Sequence, residues 1–377
     1  MKTPITHIRN WYFRYERPIS SLSLVGGFVF DALTLQRVDS FWDNLWVVGH
    51  FVIIGTCIIV INFRENKRLA KSGGTAGGER AAERKIEEDR WHFWLILALQ
   101  FFFGGLLSTF LVFYFRSGAW SVTWPFLLLL VAAFVANESF KKHYARLVFQ
   151  ISLFYVSLIS FAIFIVPVLV HEIGPGIFLL SGAVSLLALG LFILCLRFFA
   201  NETFKKSANL VRVSVAAIFV VTNILYFFNL IPPLPLSLKD GGIYHSLTHT
   251  AGGYTVTEEP GSWFDYFSFS QPFNEVAGNP VYAYSAVFSP ALLDTTIIHE
   301  WQYYDTATSR WVTYGRIPLT IVGGRPGGYN TYSIEDNVAP GEWRVNVETQ
   351  TGQIIGRLRF TVIAATATPP LITEIKS

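Results

Sequence analysis

Three groups of residues in this 377-residue chain have the types and spacing to do chemistry. In "IYHSLTHTAGG", His245 and His249 stand four apart, which on a helix would put both imidazoles on one face, as in zinc sites. His299 and Glu300, in "IIHEWQYYD", would complete a His/His/His/Glu set. The context argues the other way. No Glu follows His245 directly, "HTAGG" reads as a loop, and neighbours such as His299 and Glu300 on a strand point to opposite faces. His299 and the adjacent Trp301 are also candidate ligand contacts without a metal.

The second group is "GGRPGGYN" at 323–330, where four glycines surround Arg325. Such a run can form a backbone nest for an anion, or a wide turn between strands. The third is "DALTLQRVDSFWD", which brings Asp31, Arg37, Asp39 and Asp43 close in sequence, with Arg116 on another connection. Charge inside a membrane is expensive and therefore suspect. Pairing of Asp31 with Arg37 to cap a turn between helices accounts for the same residues. Beyond these groups there is no nucleophile with a matching base. "SGGTAGG" is neither preceded by a strand nor followed by Gly-Lys-Ser/Thr, so it does not read as a phosphate loop. No cofactor is expected.

The elements that must position these residues follow from composition. The chain is 52% hydrophobic and 15% charged, against about 25% charged in soluble chains. Long apolar runs crowd into residues 1–235, while 236–377 alternate polar and apolar like a soluble domain. Up to residue 235 there are 21 Lys/Arg against 13 Asp/Glu, or +8; the remainder holds 8 against 13, or −5, and the two sum to the chain's +3. An acidic outer half carries no electrostatic footprint for nucleic acid. The two cysteines, Cys57 and Cys195, lie in apolar runs, which argues against a disulfide framework. The N-terminal apolar stretch contains Asp31 and is followed by no small-residue cleavage site, so a retained span is expected rather than a signal peptide.

About 20 mostly apolar residues cross a hydrocarbon core. Seven stretches qualify: 19–35, 45–63, 91–115, 122–136, 147–170, 176–196 and 213–230, the first being short. With the N-terminus inside, Lys and Arg on inner segments number 4 before the first span, 8 in 64–90, 3 in 137–146 and 4 in 197–212, making 19. Only Arg37 and Arg116 lie outside. The positive-inside rule then predicts seven spans with the C-terminal part on the outer side, the periplasm of a bacterium.

The spans contain a repeat. "FVANESFKK" at 134–142 and "FFANETFKK" at 198–206 agree at seven of nine positions. Both carry Asn-x-Ser/Thr, yet the charge bias puts both on the inner face, away from glycosylation. Each closes an out-to-in span and opens the next, which predicts duplicated parallel hairpins, a design shared by many transporters. A faint third relative is "NFRENKRL" at 62–69.

From residue 280 onward the pattern is strands. "VYAYSAVF", "TIIHEWQYYD", "WVTYGRIPLTIV", "NTYSI", "GEWRVNVET" and "IIGRLRFTVI" follow at short intervals, and "TQTGQ" makes a hairpin between the last two. Val345 and Val347 alternate with Arg344 and Asn346; Leu358, Phe360 and Val362 alternate with Arg357, Arg359 and Thr361. The expectation is a sandwich, loosely immunoglobulin-like. Residues 236–279 form a juxtamembrane connector, in which Trp263, Phe264, Tyr266 and Phe267 suggest an aromatic collar.

The strand motifs "NPVYAYSAVFSP", "HEW", "IPLTIVGGRPGGYNTYS" and "GEWRVNVETQTGQIIGRLRFTV" resemble, in order, the bacterial domain of unknown function DUF2914. "GFVFDALTLQRVD" and "IPPLPLSLKDGGIYH" are similar to the multi-span region ahead of that domain in some bacterial membrane proteins. The resemblance implies a bacterial envelope and this architecture, and it carries no catalytic residues. The leading expectation is a bilayer-embedded scaffold whose outer β-domain binds an envelope protein or glycan. A transporter or lipid-handling protein using the hairpins is the alternative, and a membrane-bound metal enzyme the second.

Overall fold

The computed structural model describes residues 28, 29, 33, 40–71, 79–117, 120–139, 146–232, 235–250, 253–261, 270–276, 278–290, 293–325 and 327–376. Two compact units appear: a helical one up to Phe113 with Phe126–Val166 and Phe178–Ile224, and a second of Tyr114–Pro125, Pro167–Ile177 and the chain from Leu225 on. Most of the expected first span, Asp31 and Arg37 included, lies outside the described residues.

Five long helices lie among the described residues: α1 (Phe41–Lys71), α2 (Glu79–Ser117), α3 (Trp120–Ser139), α4 (Leu147–Val170) and α5 (Pro175–Phe227). Four are long and apolar enough to cross a membrane, while the apolar part of α3, Trp124–Val135, is shorter. Ser40 begins α1 as a cap: its Oγ accepts from the Asp43 amide at 3.4 Å, and Asp43 sits in the first turn, where a carboxylate favours the helix dipole. Asp43 thus belongs to the start of a helix. Buried Asn62 of α1 donates to buried Gln150 of α4 at 2.7 Å, the side-chain bond expected between apolar helices.

Helix α5 departs from the expected pair of spans joined by a 197–212 turn. Its 53 residues are helical throughout except at Ala200 (φ −141°, ψ 50°). Along a straight helix, Gly182 and Phe219 would be about 55 Å apart at 1.5 Å per residue. Instead, a Cβ on Gly182 would stand 3.0 Å from Phe219 Cε2. The element therefore folds back at Ala200, and "FFANETFKK" is a one-residue break rather than a loop. The reversal is possible because the new helix start is capped from outside: Asn66 Oδ1 accepts from the amides of Glu202 at 3.1 Å and Thr203 at 3.3 Å. These are among the orphan donors of a helix N-terminus.

Among the described residues the second unit has eleven strands in three sheets, ordered β1-β5-β8, β4-β10-β9-β6-β7 and β11-β3-β2. The strands are β1 (Ser237–Tyr244), β2 (Ser246–Thr250), β3 (Gly253–Glu258), β4 (Gln271–Val276), β5 (Val281–Phe288), β6 (Thr295–Asp305), β7 (Arg310–Ile321), β8 (Tyr329–Glu335), β9 (Gly341–Thr349), β10 (Ile354–Ala365) and β11 (Ile372–Lys376). Four of them fall in the segment expected to be a connector. "SLKDGGIY" lacks an apolar alternation, and β1 acquires its strand form by antiparallel pairing with β5. The collar residues Trp263, Phe264, Tyr266 and Phe267 lie outside the described residues.

The sheets stack in three layers. Trp301, Trp343, Val345, Phe360 and Val362 of the five-stranded sheet pack on Ile243, Val281 and Ala283 of the β1-β5-β8 sheet. On the other side of that middle sheet, Tyr284 and Ala286 meet Leu247 and Val256. Strand β5 therefore buries side chains on both faces, which a continuous apolar run such as "VYAYSAVF" allows.

Candidate functional site

The three histidines go to three places. His245, just before β2, stacks on Phe273 with centroids 4.1 Å apart, and its Nε2 lies 3.1 Å from Glu259 Oε1. His249, on β2 rather than in a loop, meets the edge of Tyr254 at 5.0 Å. His299 is fully buried between layers: its Nε2 is 2.8 Å from Ser285 Oγ and its Nδ1 is 2.8 Å from Ser333 Oγ. Trp301, equally buried, donates from Nε1 to the same Ser333 Oγ at 3.0 Å. Burial holds the His299 imidazole down to about 3, so it is neutral. Both residues fasten the five-stranded sheet to the middle one through Ser285 and Ser333. Among the described residues, no three His, Cys, Asp or Glu side chains converge as metal ligands.

"GGRPGGYN" is the wide turn between β7 and β8. Three of the amides a nest would offer are used internally: Gly323 N donates to Asp294 Oδ1 at 3.1 Å, Gly324 N to Ser289 O at 2.9 Å, and Gly328 N to Arg325 O at 3.0 Å. A Cβ at Gly323 would stand 1.9 Å from the Pro290 carbonyl oxygen, and Gly328 has φ +98°. The glycines are demanded by backbone crowding and turn geometry. The Arg325 guanidinium lies over Tyr329 at 4.9 Å. Arg116 lies in the last turn of α2, and its side chain lies outside the described residues.

What the alternation in β9 and β10 concealed is the character of the outer face of the five-stranded sheet. The inner residues are buried as expected, but the outer ones form a charged network. Cross-strand register places Arg357 opposite Asn346, Asn346 opposite Glu300, and Glu300 opposite Arg316. The next row runs Arg359, Arg344, Gln302 and Thr313. Asn346 and Glu348 are only 3% and 4% exposed, covered by the longer side chains around them.

On the β6–β7 side, Arg316 Nη2 reaches Glu348 Oε1 at 2.6 Å and its Nη1 lies 3.7 Å from Glu300 Oε1. Glu300 also accepts from Gln302, Thr313 and Asn346. Burial, with the like charge of Glu300, raises the Glu348 carboxyl to about 7 despite Arg316 and Arg357. On the β9–β10 side, Arg344 Nε donates to Gln302 Oε1 at 2.7 Å, and its guanidinium carbon sits 4.2 Å from the Trp311 ring centre. Arg357 Nε donates to Asn346 Oδ1 at 2.6 Å. Burial, then Arg344 and Arg359, lowers Arg357 to about 10, still charged at neutral pH. The signal was present in the sequence: pairing "EWRVNVE" with "GRLRF" about "TQTGQ" stacks their arginines on one face.

Residues 294–362 match the family described as protein of unknown function (DUF2914), a span that contains this whole charged face. No curated protein matches the chain. Among solved structures, the β-glucosidase from Listeria innocua in complex with gluconolactone overlaps 33% of this chain at 11% identity and TM-score 0.18. This chain spans 16% of that enzyme. The alkylpurine DNA glycosylase AlkC of Pseudomonas fluorescens, bound to DNA containing an abasic site analog, overlaps 84% of this chain and 97% of its own at 9% identity and TM-score 0.21. Superpositions this loose carry no argument.

Proposed function

We propose that this is a membrane-embedded binding protein of the bacterial envelope, whose β-domain faces the periplasm and captures a partner protein or glycan. The observation that carries the reading is the charged face of the five-stranded sheet. Sheet faces that serve only to meet solvent do not need arginines fixed by side-chain amides and by stacking on Trp311. Oriented, half-desolvated arginines and aromatics are what binding surfaces enrich. The 19-to-2 distribution of Lys and Arg in the first 235 residues supports the orientation, with seven spans in which the legs of α5 cross separately. The near-identical segments at 134–142 and 198–206 support parallel hairpins.

The test uses the full chain in its own membrane. A photo-crosslinking residue at exposed Thr313, on the charged face, is expected to give a discrete adduct, while one at exposed Thr306, in the β6–β7 turn, is not. If neither position yields an adduct, and a glycan array probed with the full chain in nanodiscs is blank, the β-domain is no receptor.

A second reading, lipid handling or transport, is favoured by one feature of the helical unit. A cavity of about 800 Å³ is lined by Asn62, Glu65, His92 and Arg146 beside apolar Leu147 and Phe149. Polar and charged side chains beside an apolar lining suit a lipid headgroup with its chain. Phospholipid retained through purification and lost in Asn62→Leu would support this reading. An unchanged phenotype when Asp31 and Arg37 are neutralised would remove those two residues from it.

A further inference from the structure

We propose that the β9–β10 side of the charged face is an oxyanion-binding site, in which Arg344 and Arg359 grip a carboxylate, phosphate or sulfate group of the ligand. The proposal rests on the reading above that this face binds something, and it names the chemistry recognised.

Register makes Arg359 the direct cross-strand partner of Arg344. Like charges placed opposite one another destabilise a sheet, so this pairing costs the domain and calls for a counter-charge. Glu300 acts on Arg344 from the far side of Gln302, but among the described residues no carboxylate pairs with Arg359. Arg359 makes no hydrogen bond or ion pair among them, and its electrostatic neighbours are Arg344 and Arg357. The nearby carboxylates are engaged on the other side of the face, Glu348 by Arg316 and Glu300 by Arg316, Gln302, Thr313 and Asn346. Glu342 stands two residues before Arg344 and is exposed.

The fork is also held in place. Arg344 spends its Nε on Gln302 and stacks its guanidinium on Trp311, whose ring is buttressed by Tyr304 with centroids 5.3 Å apart. No hydrogen bond among the described residues takes its two Nη groups. A planar guanidinium with Nε anchored and Nη groups unspent is poised for two parallel bonds to an oxyanion. Little side-chain freedom remains to be lost on binding.

The experiment titrates the full chain in nanodiscs with sodium acetate, phosphate or sulfate against chloride at constant ionic strength, following heat of binding and melting temperature. At least one oxyanion is expected to bind saturably at one site, with planar acetate and tetrahedral phosphate or sulfate reporting which geometry fits. Arg359→Gln and Arg344→Lys should each weaken binding at least 10-fold, the second because an ammonium keeps the charge and loses the fork. Arg310→Gln, at the exposed start of β7, should bind as the parent does. Ligand-free Arg359→Gln should melt at or above the parent temperature, since it removes a like-charge pair, and this keeps loss of binding separate from loss of fold. Oxyanions acting no differently from chloride, or equally on the parent and Arg359→Gln, would overturn the site. A Thr313 adduct with no oxyanion binding leaves the receptor and removes this site; oxyanion binding with no adduct does the reverse.

Discussion

His299 and Glu348 show how single residues in one sheet pull stability in opposite directions with pH. His299 is held at about 3, below its ordinary 6.5, so on acidification the unfolded chain takes up the proton first. Its contribution is complete above pH 6.5 and is lost as pH falls from there towards 3. Glu348 is held at about 7, above its ordinary 4.5, so the folded chain takes the proton first. Its contribution is complete below pH 4.5 and is lost as pH rises to 7. Glu348→Gln should therefore flatten the decline in melting temperature between pH 4.5 and 7, read by scanning calorimetry across that window. His299→Ala leaves Ser285 and Ser333 short of a partner and opens a void, and should cost about 2–4 kcal/mol in denaturant titration. At this scale the sequence was a partial guide. Alternation told that His299 and Glu300 face opposite ways, but not that His299 points inward to two serines from distant strands.

Among the elements, α5 teaches most about legibility. Apolar length identified both of its legs, and counting Lys and Arg identified their shared end. The length of the turn was not readable, because Asn, Glu, Thr and Lys at a membrane interface suit a helix end as well as a loop. The decisive residue, Asn66, lies far back on α1 and caps the second leg from outside. Asn66→Ala should cost about 1 kcal/mol and Asn66→Asp much less, since either Asn or Asp accepts from helix amides; reversible unfolding in mixed micelles would resolve the two. β1 was hidden for a related reason. Its form comes from a partner strand, and its own residues, two of them glycine, carry little strand preference.

For the whole molecule, the connections Tyr114–Pro125 and Pro167–Ile177 belong to the same compact unit as the β-strands, while the lysine-bearing reversal of α5 does not. The proposed orientation therefore makes a simple prediction in a background lacking Cys57 and Cys195. A cysteine replacing exposed Ser309 should react with a membrane-impermeant maleimide in intact spheroplasts, and one replacing Lys205 only after permeabilisation. The composition break near residue 235 made two parts visible in the sequence, but not the third layer of sheet, because β2 and β3 are completed by β11 from the far end of the strand series. That closure has a kinetic consequence. Ile372 pairs with Glu258 and Lys376 reaches Asp240 at 3.3 Å, both across more than a hundred residues of chain. Long-range pairings of this kind are the slow ones. Until β11 arrives, β3 presents an open hydrogen-bonding edge, which fits the β11 of a neighbouring copy as well as its own. A copy of the chain that supplied its β11 to that edge and received the other's in return would form a strand-exchanged dimer.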